Sequence, residues 1–278
     1  MFEKYQALGN AYLIFRDEDG RGLDAPTIRT VCDSHYGIGS DGVLIGNRLG
    51  DNRFKLEIFN PDASVAEKSG NGLRIFAKFV WDEGITSADE LVITTPSGES
   101  RCSKFGDEIC VNMGRPRFSD TNIPAPADFL QHIDGQVVEL HALSFGNPHC
   151  VIYVDDLDVD NTKRIGPLVE RLPLFPRRTN VQFLKVISNS LIQIQIWERG
   201  VGYTLASGSG ACAAFAVSKK LNICGNDVIV EMPGGKLFMK ENARGEVLQY
   251  GSALKIASCI VKNYGPTTSD DPRNKTKL

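Results

Sequence analysis

Ser69-Gly70-Asn71-Gly72 and Ser207-Gly208-Ser209-Gly210 are two copies of one tetrad, Ser-Gly-x-Gly, set 138 residues apart in a chain of 278. A glycine-rich loop that opens a helix presents unpaired backbone N–H groups and the positive end of the helix dipole, so it suits an anion. Two such loops facing each other would clamp one carboxylate between two helix N-termini, with a serine on each side. Similar groups on opposite sides of one ligand are what inversion of a stereocentre requires. Taken singly, either tetrad reads as a tight turn with serine as N-cap. The repetition is what favours a site.

Two further clusters accompany the tetrads. Gly146-Asn147-Pro148-His149 stands between the apolar runs Val138–Phe145 and Cys150–Val154. A histidine there reads either as a satisfied core residue or as a base. Glu198 and Arg199 follow a run in which Ile192, Ile194 and Ile196 alternate with Gln193 and Gln195. Adjacent Glu and Arg could bind the ammonium and carboxylate of an amino acid, or form a surface ion pair of small energetic weight.

The elements that must position these residues also come twice. Gly9-Asn10 is answered by Gly146-Asn147 and Pro96-Ser97-Gly98 by Pro233-Gly234-Gly235, both at an offset of 137, while Phe59-Asn60 falls opposite Trp197-Glu198 at 138. In each half a period-2 strand (Phe54, Leu56 and Ile58 in the first, the isoleucine run in the second) leads into a tetrad. A helix follows each tetrad, marked by Leu73, Phe76, Phe79 and Val80 in one half and by Ala-rich residues 211–217 in the other. Hairpins follow the helices, Leu91–Ile93 into Pro96-Ser97-Gly98 and Val228–Val230 into Pro233-Gly234-Gly235. The expected fold is α+β, with two pseudo-symmetric halves, each a mostly antiparallel sheet wrapped round a central helix. The halves are expected at 1–123 and 124–262, with the linker at Pro124-Ala125-Pro126, and polar residues 263–278 as a disordered tail.

Composition narrows the function. The chain is 42% hydrophobic and 23% charged, with a net charge of −3. Without a basic stripe, neither nucleic acid nor a membrane surface is expected as a partner. Met1-Phe2-Glu3-Lys4 lacks the charged-then-apolar pattern of a secretory signal, and no apolar run approaches the roughly 20 residues that span a bilayer. Seven cysteines without CxxC spacing suit reduced thiols. A cytoplasmic protein is expected, with no metal and no organic cofactor, since no ligand cluster or dinucleotide fingerprint accompanies the loops.

Together the motifs resemble those of the diaminopimelate epimerases, which invert an amino-acid α-carbon without a cofactor. The resemblance covers residues 2 to about 262 and rests on Ala7–Asn10, Gly37–Gly42, Phe59–Asp62, Ala66–Gly72, Gly146–Cys150, Thr179–Val181, Glu198–Gly200 and Gly210–Cys212. It implies two bases, one on each face of the α-carbon, at positions 69 and 207, with His149 and Glu198 as their partners. It also implies that Asn60, Asn147, Asn180, Glu198 and Arg199 hold the far end of the substrate and that Asn10 touches it. The reacting carboxylate would rest on the amides at Gly70-Asn71 and Gly208-Ser209. A small amino acid is the implied ligand, and a homodimer the implied assembly.

Two departures stand out. Where the family carries its catalytic cysteines this chain has Ser69 and Ser207, and Tyr203 stands where most members have Glu. A thiol titrates near about 8.5 and an alcohol nearer water's roughly 15.7. That gap of about 7 units is roughly 10 kcal/mol against forming the anion. Three readings follow: an inactive form in which both Ser replace Cys and substrate is still held, a variant in which the hydroxyls hydrogen-bond to substrate and His149 serves as base, and a binding protein that has lost catalysis. Diaminopimelate is the first substrate expected. A racemase of another polar amino acid, such as histidine or lysine, is the alternative.

Overall fold

The structure, a computed structural model, describes residues 1–15 and 23–261. The expected tail at 263–278 lies outside the described residues. The first half runs β1 (Phe2–Ala7), β2 (Asn10–Phe15), α1 (Ala25–Cys32), β3 (Val43–Arg48), β4 (Arg53–Phe59), α2 (Gly70–Asp82), β5 (Glu90–Thr95), β6 (Gly98–Phe105) and β7 (Glu108–Gly114). The second runs β8 (Asp128–Ile133), β9 (Gln136–Ser144), β10 (Pro148–Tyr153), α3 (Val159–Glu170), β11 (Asn180–Ser188), β12 (Leu191–Glu198), β13 (Gly202–Thr204), α4 (Gly208–Lys220), β14 (Asp227–Met232), β15 (Gly235–Glu241), β16 (Val247–Gly251) and β17 (Leu254–Cys259).

The two halves repeat one plan. Parallel pairing occurs at β2–β3, β4–β5, β10–β11 and β12–β14. Each of these pairs is spanned by one helix among the described residues, because parallel neighbours need a crossover rather than a tight turn. The other strand pairs are antiparallel, as the period-2 runs and hairpin signals imply. The halves join edge to edge where β7 pairs with β16. Their other edges are completed by extra strands. β8 pairs with β9, and β17, at the end of the second half, pairs with β1 of the first.

Each tetrad helix is sheathed mainly by the strands of its own half, with β17 of the second half also covering α2. α2 packs on β1, β2, β3, β6, β7 and β17, and α4 on β9 to β12 and β14 to β16. Leu73, Ile75, Phe76 and Val80 of α2 are buried, as are Ala211, Ala213, Phe215 and Val217 of α4. A helix that is apolar nearly all round is a buried one. Small side chains in α4 let strands approach it from every side.

α1 and α3 carry much weaker sequence signals. α1 is short, with apolar burial only at Ile28, Val31 and Cys32, and its start is set by Asp24, which caps the Thr27 N–H. α3 contains Gly166 and Pro167, both helix breakers by composition. Gly166 is there for packing: a β-carbon at that position would lie 2.6 Å from the ring of Trp197.

Candidate active site

The two tetrads fold alike. Ser69 (φ −138°, ψ 118°) caps α2 and accepts from the Gly72 N–H at 3.0 Å. Ser207 (φ −140°, ψ 117°) caps α4 and accepts from the Gly210 N–H at 3.3 Å. The capping and anion-site readings of these loops hold together, because a capping hydroxyl satisfies only one of the free N–H groups. The helices meet end to end. A β-carbon on Gly208 would lie 3.1 Å from the Gly70 Cα and 3.2 Å from the Asn71 nitrogen, and one on Gly70 would lie 2.8 Å from Oε1 of Gln249. A side chain at this contact is accommodated only if the facing backbone or Gln249 gives way.

The paired N-termini form the floor of a cavity of about 820 Å³. Every residue expected at the site lines it except His149. Asn71 donates to Oδ1 of Asn10 at 3.2 Å and accepts from the guanidinium of Arg74 at 2.6 Å. Arg74 is fully buried and also binds Gln249, whose amide donates to the Gly208 carbonyl at 2.7 Å. One buried cation thus ties both helix starts together.

The far wall is built on the turn after β12. Asn180 donates to the Pro148 carbonyl at 3.0 Å and accepts from the Arg199 N–H at 3.0 Å. Glu170 of α3 accepts from the Trp197 indole at 2.7 Å and from the Gly200 N–H at 3.1 Å, which fixes both ends of the turn. The Arg199 guanidinium reaches across the cavity to Glu67 at 2.7 Å, so an expected carboxylate ligand already has a carboxylate partner from the other half. Asn60 donates to Ser64 at 2.9 Å. Tyr203 lines the wall with its hydroxyl on Gln195 at 2.7 Å and the Lys163 ammonium over its ring.

The expected acid–base groups sit in unlike surroundings. Glu198 loses solvent in the cavity wall, and this pushes its carboxyl up to about 7; the Ser207 hydroxyl donates to it and opposes the rise, while nearby Asp41 adds to it. His149 is fully buried, and burial holds its imidazole down to about 3, so it is neutral. Its Nδ1 lies 3.2 Å from Oε1 of Gln182 and its Nε2 3.2 Å from Oδ1 of Asn147. A neutral imidazole has one N–H and one acceptor nitrogen. Turning the Gln182 amide over brings its otherwise unpartnered Nε2 onto Nδ1 and leaves Nε2–H to donate to Asn147. His149 then braces Asn147, which does line the cavity.

Glu67, Tyr12, Asp41, Glu170 and Gln182 also shape the site, although none of them was expected there. Glu67 lies two residues before Ser69, inside one of the motifs, and that proximity was a usable signal. Glu170 and Gln182 reach the site only through tertiary packing and carry no local signal.

This geometry is found together with clear sequence kinship. The family model for diaminopimelate epimerase matches residues 2–119 and 141–256. The chain belongs to that family. The stretch left between the two matches holds β8 and the start of β9. The chain is 43% identical over 266 residues to diaminopimelate epimerase 2 of Nostoc sp., covering 92% of this chain and 93% of that one. It is 34% identical to diaminopimelate epimerase of Alkaliphilus metalliredigens, over 94% and 97% of the two chains. The fold is shared with a solved probable proline racemase from Agrobacterium radiobacter, at a TM-score of 0.70 and 13% identity over 94% and 93% of the chains. Among the described residues, no helix is long and apolar enough to cross a membrane.

Proposed function

We propose that this epimerase-family isomerase inverts the α-carbon of diaminopimelate, LL to meso, without a cofactor, as a step of lysine biosynthesis in the cytoplasm. The observation that carries the reading is the meeting of the two Ser-capped helix starts at Gly70 and Gly208 on the floor of a cavity with Glu198 and Arg199 in its wall. A carboxylate on that floor takes hydrogen bonds from the free amides at Gly70-Asn71 and Gly208-Ser209 and the favourable ends of two helix dipoles. Those interactions strengthen as negative charge grows on the carboxylate while the α-proton leaves, and this differential is what lowers the barrier.

Ser69 and Ser207 flank the α-carbon held there. Glu198, close to half-ionised at neutral pH, takes the Ser207 proton as Ser207 receives one from substrate. At the far end Arg199 exchanges Glu67 for the distal carboxylate, with Asn60, Asn147 and Asn180 as hydrogen-bonding neighbours and Asn10 beside the reacting end. A diamino dicarboxylate matches this set of groups better than a monocarboxylate does. With hydroxyls in place of thiols, the chain binds substrate and turns it over slowly. A racemase of another polar amino acid is the second reading, favoured by Tyr203 in the wall.

α-Proton exchange in deuterated water, followed by NMR on LL-diaminopimelate, histidine and lysine, tests the proposal. The chain and its Ser69→Cys, Ser207→Cys variant are compared. Exchange confined to diaminopimelate and accelerated by the thiols is the expected result. Exchange of histidine or lysine alone would transfer the reading to the racemase. Tight binding with no exchange in either protein would make the chain an amino-acid binder.

A further inference from the structure

We propose that Glu67 recognises the distal ammonium of the substrate, so that its ion pair with Arg199 is a mould for a zwitterionic end group. The proposal rests on the diaminopimelate reading and deepens it. Glu67 belongs to the segment that leads into α2, Arg199 to the turn after β12, and both line the cavity. The guanidinium and the carboxylate meet at 2.7 Å across the space between the halves, with their side chains 23% and 29% exposed. Their backbones are anchored separately. The Glu67 carbonyl accepts from the Ser97 N–H at 3.3 Å, and the Arg199 N–H donates to Asn180 at 3.0 Å. The two long side chains can therefore swing apart while the walls stay in place. Asp41 and Asp62, the other carboxylates that the first half places in the wall, already accept from donors of that half. Asp41 takes the Ala11 N–H at 2.7 Å, and Asp62 takes the N–H and the hydroxyl of Ser64 at 2.8 and 2.6 Å.

A ligand that ends in a lone carboxylate would win Arg199 only by leaving Glu67 without its partner, in a wall that withdraws it from most of its water. Stranding one member of a largely desolvated pair is costly. A ligand that ends in a lone ammonium has the converse fault, since it brings a second cation to Arg199 and offers no anion in exchange. The distal end of diaminopimelate carries both charges on one carbon. Its carboxylate can take Arg199 while its ammonium takes Glu67, so one ion pair becomes two and no charge is left unpaired. Two close chemical relatives each lack half of this match. 2-Aminopimelate has the distal carboxylate alone, and lysine has the distal ammonium alone. The pair thus selects by disfavouring partial fits as well as by favouring the full one.

The test crosses a change in the protein with a change in the ligand. In the Ser69→Cys, Ser207→Cys protein, α-proton exchange in deuterated water gives kcat/KM for LL-diaminopimelate and for L-2-aminopimelate. Only molecules whose amino-acid end lies on the floor contribute to it. Glu67→Gln frees Arg199 for both ligands but removes the partner of the ammonium, so 2-aminopimelate should gain more than diaminopimelate. The preference for diaminopimelate should fall about tenfold, a coupling within the range for groups in direct contact. Glu67→Ala should lower it as Glu67→Gln does, whereas Glu67→Asp keeps the charge and should retain most of it. Exchange of 2-aminopimelate by the variants shows that they are folded. An unchanged preference in Glu67→Gln and Glu67→Ala, or an equal loss in Glu67→Asp, overturns the proposal while the epimerase reading stands. If the two-thiol protein exchanges neither ligand, the epimerase reading fails, and calorimetry on the same proteins decides the role of Glu67 alone. A binding preference for diaminopimelate that Glu67→Gln abolishes sustains it, and any other result overturns it.

Discussion

Glu198 and Arg199 are neighbours in sequence, yet their settings give them opposite tests. Glu198 titrates at about 7 in the fold, above the ordinary carboxylate range, because the cavity wall strips its water. A folded-state value raised in this way makes the folded protein bind more protons than the unfolded chain between about 4.5 and 7. The penalty is therefore absent below the unfolded value and grows as pH rises towards the folded one. Glu198→Gln should stabilise the protein at pH 8 by about 1–2 kcal/mol and leave it unchanged at about pH 4, as read from urea midpoints. The same substitution should remove the dependence of α-proton exchange on ionisation near pH 7. Arg199→Ala should weaken diaminopimelate binding by roughly 2–4 kcal/mol in calorimetry. Glu67→Gln should strengthen it, because Arg199 then meets the ligand without first giving up a partner. Residue types at this scale were largely legible: Ser, Asn, Glu and Arg beside Gly loops announce polar recognition. What could not be read was direction. Whether Tyr12 or His149 faces the cavity depends on strand parity and on the register of β2 and β10 against their neighbours, and one chain's spacing does not encode that register.

At the level of elements, the contact between α2 and α4 makes the sharpest prediction. Gly208→Ala places a methyl against the Gly70 backbone, which cannot yield as a flexible side chain would. The helix starts must give by a few tenths of an ångström, at a cost of about 1–3 kcal/mol, and the convergence of the amides on one carboxylate loosens. Calorimetry should show ligand binding lost out of proportion to the drop in melting temperature. Equal binding by Gly208→Ala would mean that the carboxylate does not sit between the helices. The strands and helices next to the tetrads were readable because alternation, Ala-rich composition and Gly turns agree there. α3 was not, since Gly166 and Pro167 are breakers by composition and the Trp197 ring packed on Gly166 is visible only in the fold. The parallel pairs were likewise hidden, because a crossover pairs strands that local signals would assign to separate hairpins.

Ties between the halves include β7 on β16, β17 on β1, and Arg74 with Gln249 beneath the helix starts. The internal offset of 137 to 138 residues disclosed the duplication, but not that residues 254–259 return to the first half, because nothing local in Leu254–Cys259 names its partner strand. That return crosses the chain's full length, so deleting residues 254–278 should lower the melting temperature of both halves together in one cooperative transition. Two separate transitions would show that each half holds itself together without the returning strand.

The end-to-end helix contact has a further consequence when viewed as a chiral environment. The floor is nearly two-fold symmetric and presents the same face to a carboxylate on either isomer, whereas Ser69 stands beside the Tyr12 hydroxyl and Ser207 beside the Glu198 carboxyl. The ratio of isomers at equilibrium belongs to the solutes alone, and no protein asymmetry can alter it. The unlike walls can register in the individual rate constants of the two directions and in label traffic. Starting from one isomer, the group that captures the substrate hydrogen is Ser207, which exchanges with solvent through the Glu198 carboxyl; starting from the other, it is Ser69, which stands beside the Tyr12 hydroxyl. Deuterium washed into recovered starting material should therefore differ between the forward and reverse reactions even as both converge on one mixture.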